Sequence, residues 1–344
     1  MKIVIYTFSR QGYQLMKKIR CGLQQMDNNI EIFEIVKCSS MESLSKKRSL
    51  FACVEEWFYR AEVLIFIGAA GIAVRAIAPF LEHKSKDPAV LVIDETGKYC
   101  ISLLSGHTGG GNAWCKKVSA VFEGTPVITT ATDCEGLFAV DEFARKNDLQ
   151  ILDWKLAKQI SAAILEGKKV GFLSDCSIEG TIPQELYEIE NKEYSNDLHI
   201  FISYQAEQNG FQLVPQVVVV GIGCRKNAPF EKIERAVRQA LFEEKIKEEA
   251  VCLLASIDLK KEEQGILRFC RQRGIPFVTF QAEELKKVEG VFSESAFVEQ
   301  TTGVSNVCER SAVLASGGEL LCKKKVYDEV TIALARKEKV IYFE

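Results

Sequence analysis

Residues 63–81 read VLIFIGAAGIAVRAIAPFL, the longest apolar stretch of the chain. Two readings compete for it: a membrane span, or a buried strand followed by a helix. Arg75 lies inside it, and a charge at the centre of a bilayer costs roughly 2.5–3.5 kcal/mol. Pro79 follows, and the uninterrupted part from Val63 to Val74 falls short of the roughly 20 residues that a spanning helix needs. The alternative accommodates every residue. Val63–Ile67 makes a strand buried on both faces, Gly68–Gly71 a turn, and the following residues a helix. A strand that is apolar throughout, rather than at every second position, belongs in a parallel sheet covered on both sides.

The same alternation extends in both directions. Lys2–Tyr6, Ile30–Val36, Ala89–Ile93 and Pro126–Ile128 read as strands. Gln11–Met26 reads as a helix, with Leu15, Ile19 and Leu23 at helical spacing. Met41–Tyr59 reads as another, capped by Ser40 or Ser43, and Asn112–Phe122 as a third. Asp94–Gly97 is a turn from which Tyr99–Leu103 returns as a hairpin partner. Strands alternating with helices predict an open, mostly parallel α/β sheet over residues 1–134. Residues 135–215 differ: a helix at Asp153–Glu166 and strands at Lys169–Leu173, Leu198–Ile202 and Phe211–Val214 surround a polar, irregular run. They read as a small variable middle region. Residues 216–344 form a second α/β domain. Its strands are Val217–Val220, Val251–Ser256, Pro276–Phe280 and, last, Thr331–Ala335. Its helices are about 229–242, Glu262–Arg273, Ala282–Val288 and one within Thr302–Ala315. A length of 344 residues agrees with two or three domains at roughly 150 residues each.

Composition excludes several classes. Lys and Arg number 44 against 47 Asp and Glu, a net charge of −3, without the surplus cations that a generic nucleic-acid binder needs to neutralise phosphates. Twelve cysteines include no CxxC pair, and the histidines are only His83, His107 and His199, so no zinc framework is supported. The start, MKIVIYTFSRQ, lacks a signal peptide's apolar core and cleavage site. A cytoplasmic location follows as the expectation, with thiols kept free and acting as small buried fillers.

Six clusters carry potential chemistry. Ser105-Gly106-His107-Thr108-Gly109-Gly110-Gly111-Asn112 precedes a helix. Its glycines let backbone approach a ligand, the helix start favours anions, and His107 exchanges protons near neutral pH. Gly68–Arg75 repeats the strand–turn–helix pattern, with Arg75 as a two-pronged carboxylate donor or as an internal ion-pair partner. Gly221-Ile222-Gly223-Cys224-Arg225-Lys226 begins like a dinucleotide fingerprint. Lys226 stands where the third glycine belongs, which disfavours a nicotinamide oxidoreductase and leaves anion binding by the turn with Arg225 and Lys226. Thr129–Asp133 clusters hydroxyls at a strand end. Ser256, Asp258 and Lys260 alternate, and strand geometry would point all three to one face. Glu309 follows Thr302 at the start of a predicted helix, where the dipole favours a carboxylate in any case. No Ser-His-Asp order or GxSxG elbow appears.

The run GAAGIAVRAIAPFLEHKSKDPAVLVIDETGKYCISLLSGHTGGGNAWCKKVSAVFEGTPVITTATD, Gly68–Asp133, resembles the cobalt-precorrin-5A hydrolase family of the anaerobic cobalamin pathway. VVGIGCRKNA, LLASIDLKKEEQGI, TTGVSNVCERSAVLASGG and TIALAR resemble that family's C-terminal domain, which is also similar to a stand-alone domain of the aerobic pathway. The resemblance implies opening of the δ-lactone of cobalt-precorrin-5A, release of acetaldehyde and formation of cobalt-precorrin-5B. The implied partner is a large, flat, multiply carboxylated tetrapyrrole that carries its own cobalt. No protein cofactor or metal site is then expected. A homodimer and transient contact with neighbouring pathway enzymes are further expectations, without nucleic acid or membrane.

His107 is the first expected acid–base residue, with ligation of the substrate's cobalt as its alternative role, and Glu309 the second. Substrate binding is expected from Gly71, Arg75, Ser105, Gly106, Gly109, Gly110, Asn112, Thr130, Gly223, Arg225, Lys226, Ser256, Lys260 and Thr302. Backbone N–H groups of the glycine-rich loop are expected to hold the oxyanion. The competing class is a non-catalytic tetrapyrrole carrier, which needs the binding residues but no acid or base. The chain departs from the family pattern at Gly111, where alanine is expected, and at Asn227, where glycine is usual and where Asn best tolerates a left-handed turn.

Overall fold

The computed structural model describes residues 1–38, 48–83, 86–189, 198–206 and 210–343. The expected caps Ser40 and Ser43 lie outside them. Two compact units divide the chain, Met1–Arg145 and Lys146–Glu344.

The first unit runs β1 (Lys2–Thr7), α1 (Arg10–Met26), β2 (Glu31–Val36), α2 (Leu50–Trp57), β3 (Val63–Ile67), α3 (Ala70–Ile77), β4 (Ala89–Ile93), β5 (Tyr99–Leu104), α4 (Gly111–Phe122), β6 (Thr125–Val127), α5 (Ala131–Glu135) and α6 (Val140–Lys146). Its sheet has the order β2-β1-β3-β4-β5-β6. β1–β4 pair in parallel, β5 returns antiparallel to β4, and β6 lies parallel to β5. The opening stretch explains this layering. Every residue of β3 is buried. Val63, Ile65 and Ile67 join Met16, Ile19 and Leu23 of α1 and Val118 of α4 on one face. Leu64 and Phe66 join Val54 of α2 and Ala73 and Ile77 of α3 on the other. Alternate residues thus feed two cores, and an uninterrupted apolar strand is the sequence consequence. α2 is capped by Ser49, whose Oγ accepts from Ala52 N at 3.1 Å.

The second unit holds two five-stranded sheets and a two-stranded one. Its chain begins β7 (Leu149–Ile151), α7 (Trp154–Leu165), β8 (Val170–Ser174), β9 (Ser177–Gly180), β10 (Leu186–Glu188), β11 (His199–Ile202) and β12 (Phe211–Pro215), and all of these strands but β9 form the first five-stranded sheet, of order β10-β8-β11-β12-β7. Then come β13 (Val218–Cys224), α8 (Phe230–Glu243), β14 (Val251–Ile257), α9 (Gln264–Arg273), β15 (Phe277–Phe280), α10 (Ala282–Lys286), α11 (Ala296–Thr302), α12 (Cys308–Ser316), β16 (Glu319–Tyr327), β17 (Val330–Arg336) and β18 (Val340–Phe343). They give a sheet of order β15-β14-β13-β17-β16, while β18 pairs in parallel with β9.

Two expectations are corrected here. Gly221–Cys224 is not a turn: β13 runs through it. A Cβ at Gly221 would lie 1.9 Å from Cys308 O of α12, and one at Gly223 would lie 2.5 Å from Thr331 Oγ1 of β17. These glycines serve close packing, not an anion cradle. The turn comes later, at Asn227 with φ of 61°, so the asparagine takes the left-handed conformation expected of it. The expected helix within Thr302–Ala315 is α12, Cys308–Ser316, and the preceding α11 ends at Thr302 before Gly303, whose φ is 76°. The strand at Thr331–Ala335, part of β17, is not the last, because β18 follows it. Among the described residues, no helix is long and apolar enough to cross a membrane. Seven of the twelve free cysteines are buried and two, Cys21 and Cys134, are exposed.

Candidate functional site

β5 and β6 are parallel neighbours at one edge of the first sheet. Parallel pairing sends the chain out of both strands at the same end, so the segments that follow them converge. The segment after β5 is the glycine-rich loop. Ser105 turns the chain at φ of 54°, and its Oγ donates to Asp87 O at 3.0 Å. The loop then folds onto itself. Gly110 N donates to His107 O at 2.9 Å, Gly111 N to Ser105 O at 3.0 Å and Asn112 N to Gly106 O at 2.9 Å. A Cβ at Gly106 would lie 2.6 Å from Asn112 Oδ1, and one at Gly109 would lie 2.6 Å from Ser105 Cβ. Side chains are excluded from both positions by the tightness of the turn. At Gly111 a Cβ would come within 2.9 Å of Leu104 O, so the glycine that departs from the family pattern suits this packing.

The loop projects His107 between two carboxylates. Nε2 is 2.6 Å from Asp133 Oδ2, and Nδ1 is 3.0 Å from Asp141 Oδ1. Asp133 stands in the first turn of α5, after β6, and Asp141 in the first turn of α6. Asp133 Oδ2 also accepts from Asn112 Nδ2 and from Thr130 Oγ1, each at 2.8 Å. Asn112 Nδ2 lies 2.8 Å from Thr130 Oγ1 as well, and Thr132 Oγ1 is 3.3 Å from His107 Nε2. His107 and Asp133 keep 12% and 14% of their side-chain surface exposed, enough to be reached at one edge. Burial by itself would lower the pKa of His107. The hydrogen bonds and charges of Asp141 and Asp133 outweigh it and hold the ring above its ordinary value of 6.5. Burial works to raise Asp133. The bonds from Thr130, His107 and Asn112 prevail and hold it below the usual carboxylate range.

Donor atoms of His107, Asp133 and Glu142 lie within 4.8 Å of one another, a spacing that could hold a metal ion. Asp133 Oδ2, however, already takes hydrogen bonds from His107, Asn112 and Thr130. A metal ion there would compete with those three donors for the same oxygen.

Of the residues singled out in the sequence, the fold gathers Ser105, Gly106, His107, Gly109, Gly110, Asn112 and Thr130 into this cluster. Arg75 is exposed, and its Nη1 bonds back to Gly71 O at 3.3 Å. The others lie in the second unit. Arg225 pairs with Glu329 at 3.3 Å and is 78% exposed, and Lys226 is also exposed. Ser256 is fully buried and donates to Ile222 O at 2.6 Å. β14 ends at Ile257 and a 3-10 turn covers Asp258–Lys260, so the expected alternation of Ser256, Asp258 and Lys260 on one face does not occur. Lys260 pairs with Glu263 at 3.5 Å. Thr302 Oγ1 donates to Val298 O at 2.8 Å at the end of α11. Glu309 is 0% exposed. Its Oε1 accepts from Ser293 Oγ and Lys324 N, each at 2.7 Å, and its Oε2 from Ser293 N at 2.9 Å. Burial works to raise its pKa, but those bonds hold it below the usual range. It stitches α12 to the segment at Ser293 and to β16.

Sequence reasoning noted Thr132 and Asp133 in the hydroxyl cluster without giving either a role and passed over Asp141 and Glu142. A signal existed for Asp133: Thr130 and Asp133 have the spacing of a helix-start capping pair. No local signal marks Asp141, which reads as an ordinary first-turn carboxylate.

The comparisons with known proteins agree on one family. Residues 52–133 match the family described as Cobalamin synthesis G N-terminal, 138–217 the Cobalamin biosynthesis central region and 218–335 the Cobalamin synthesis G C-terminus. A relative from Salmonella typhimurium named cobalt-precorrin-5A hydrolase is 38% identical over 79% of this chain and 81% of its own length. One of the same name from Priestia megaterium is 31% identical over 95% of this chain and 89% of its own. Protein CobE of a Sinorhizobium species is 29% identical over 34% of this chain and 79% of its own length.

Proposed function

From the premise that this chain belongs to the Cobalamin synthesis G family of cobalt-precorrin-5A hydrolases, we propose that it opens the δ-lactone of cobalt-precorrin-5A at the His107 cluster, releasing acetaldehyde and leaving cobalt-precorrin-5B. The chain is a hydrolase of cobalamin biosynthesis, and the lactone, the aldehyde and the residues are our reading. The observation that carries it is the histidine clamped between two aspartates on a glycine-rich loop.

With both ring nitrogens bonded to carboxylates and its pKa raised, His107 begins the reaction as an imidazolium. Its first act is therefore that of an acid. As water adds to the lactone carbonyl, shedding its proton to solvent, the ring C–O bond breaks and Nε2 gives its proton to the departing alcohol oxygen. The neutral ring then takes the alcohol proton back, and the electron pair of that O–H bond becomes the second C–O bond of the aldehyde as the C–C bond breaks. The broken C–C bond leaves its electrons on the macrocycle, which takes up a proton. Asp141 holds Nδ1 and fixes the ring, as an orienting carboxylate does for other catalytic histidines. Three N–H groups of the glycine-rich loop, those of Gly110, Gly111 and Asn112, are engaged inside the loop. We therefore assign charge stabilisation to the imidazolium and leave those donors their structural role. Glu309 is left out of the chemistry because its carboxylate is closed to solvent and triply bonded. No protein cofactor enters the scheme, and cobalt comes with the substrate.

The test is aldehyde trapping on incubation of the pure protein with cobalt-precorrin-5A. The wild type should release acetaldehyde. His107→Ala should lose at least a hundredfold in kcat, the lower range for a general acid–base group, while still binding the tetrapyrrole. Binding by the wild type without aldehyde would mark a carrier instead.

A further inference from the structure

Arg145, on α6, has no role in the scheme above. Its guanidinium lies against Gly110 at the start of α4: a Cβ on that glycine would be 3.6 Å from Nη1 and 3.7 Å from Nε and Cζ. Nε is buried and has no hydrogen-bond partner. Asp141, one helical turn earlier on the same face of α6, is the carboxylate that would ordinarily pair with it. That carboxylate is turned instead to His107, with Oδ1 3.0 Å from Nδ1. Two further buried hydroxyls around the same loop, Ser102 Oγ and Thr108 Oγ1, also lack partners. A Cβ at Gly111 would lie 3.0 Å from Ser102 Oγ, which places this hydroxyl under the start of α4. A half-buried cation deprived of its natural counter-ion carries an uncompensated desolvation cost, and a carboxylate arriving in the plane of the guanidinium removes it.

We infer that Arg145 is a substrate-binding residue of the His107 site and takes a peripheral carboxylate of the macrocycle. This rests on the functional reading above and deepens it, by making the acidic side chains of the substrate the feature that is recognised. Gly110 has a purpose in this scheme beyond its φ of 74°. With no side chain there, the guanidinium comes close to the backbone at the start of α4, with Nη1, Cζ and Nε all 3.6–3.7 Å from the position of a Cβ.

The experiment has an arm that needs no variant. A cobalt corrinoid with free side-chain carboxylates and its methyl ester are titrated against the wild-type protein by absorbance. The free acid should bind at least tenfold more tightly, and equal affinities would overturn the proposal. In the second arm, Arg145→Ala should raise KM for aldehyde release at least tenfold and change kcat less than threefold. Arg145→Lys should recover part of the loss, because it keeps the charge and loses the fork. An unchanged KM in Arg145→Ala, or a loss confined to kcat, would also overturn it. The two readings fail separately. Arg145-dependent corrinoid binding without aldehyde release sinks the hydrolase scheme and leaves the carboxylate site standing. Normal turnover with an unaltered KM does the reverse.

Discussion

His107 is held by opposing influences, and their balance gives the site its pH dependence. Its pKa is raised over the ordinary 6.5, with burial resisting and Asp141 and Asp133 prevailing. A raised histidine contributes stability that is complete below the ordinary value and disappears as pH rises through the folded one. Asp133 is lowered, so its contribution is present above the ordinary carboxylate range and is lost as pH falls through its depressed value. The first unit should therefore be most stable on the acid side of neutrality. The basic limb of kcat should follow the loss of the imidazolium. Asp141→Asn removes the first of the favourable partners and should move both that limb and the His107 ring titration, followed by NMR, to lower pH. A limb that stays in place would separate the rate from His107. At this scale the sequence was partly legible. His107, Asn112 and Thr130 stand in conspicuous motifs, whereas Asp141 and Arg145 have nothing local to distinguish them from the solvent-facing charges of any short helix.

At the scale of elements, strands were easier to read than the glycines that end them. Burial on both faces imposes an apolar residue at every position of β3 and β4, and that pattern survives in the sequence unmodified. A glycine pair does not reveal whether it makes a turn or a close packing contact. Gly221-Ile222-Gly223 looks like the start of an anion loop but is a strand on which α12 rests, with Cys308 O positioned where a Cβ of residue 221 would be. Gly221→Ala should push α12 off β13. We expect a loss of about 1–3 kcal/mol by urea unfolding, the usual cost of overpacking, and an unchanged midpoint would remove the close contact from the account. β7, β9, β10 and β18 were missed because strands of three or four residues carry few periods for alternation to appear above chance, and the nine-residue β16, with Lys323–Lys325 in its middle, was missed as well.

At the scale of the molecule, the end of the chain closes the second unit. β18 pairs with β9, Ile341 and Phe343 are 0% and 4% exposed, and Phe343 packs on Phe172 with ring centroids 5.3 Å apart. Asn147 brackets the same strand. Its Oδ1 accepts from Tyr342 N at 2.8 Å, and its Nδ2 donates to Tyr342 O at 3.0 Å. Deleting residues 340–344 should cost about 3–6 kcal/mol, from two buried apolar side chains at roughly 1.5–3 kcal/mol each. Thermal unfolding would register the loss, and an unchanged transition would show the strap to be dispensable. The boundary between units is likewise a matter of long-range contact. The first unit extends to Arg145, past the residue 134 at which the sequence pattern changes, because α6 brings Asp141 to His107. By itself, the sequence determined the layered α/β architecture, the glycine-rich loop and the family, because periodicity and short motifs are local properties of a chain. Only the tertiary structure decided that His107 has two carboxylates and Arg145 a packed guanidinium beside the same loop. Those residues meet because β5 and β6 run parallel and release their loops at one end, and nothing local records which loops will converge.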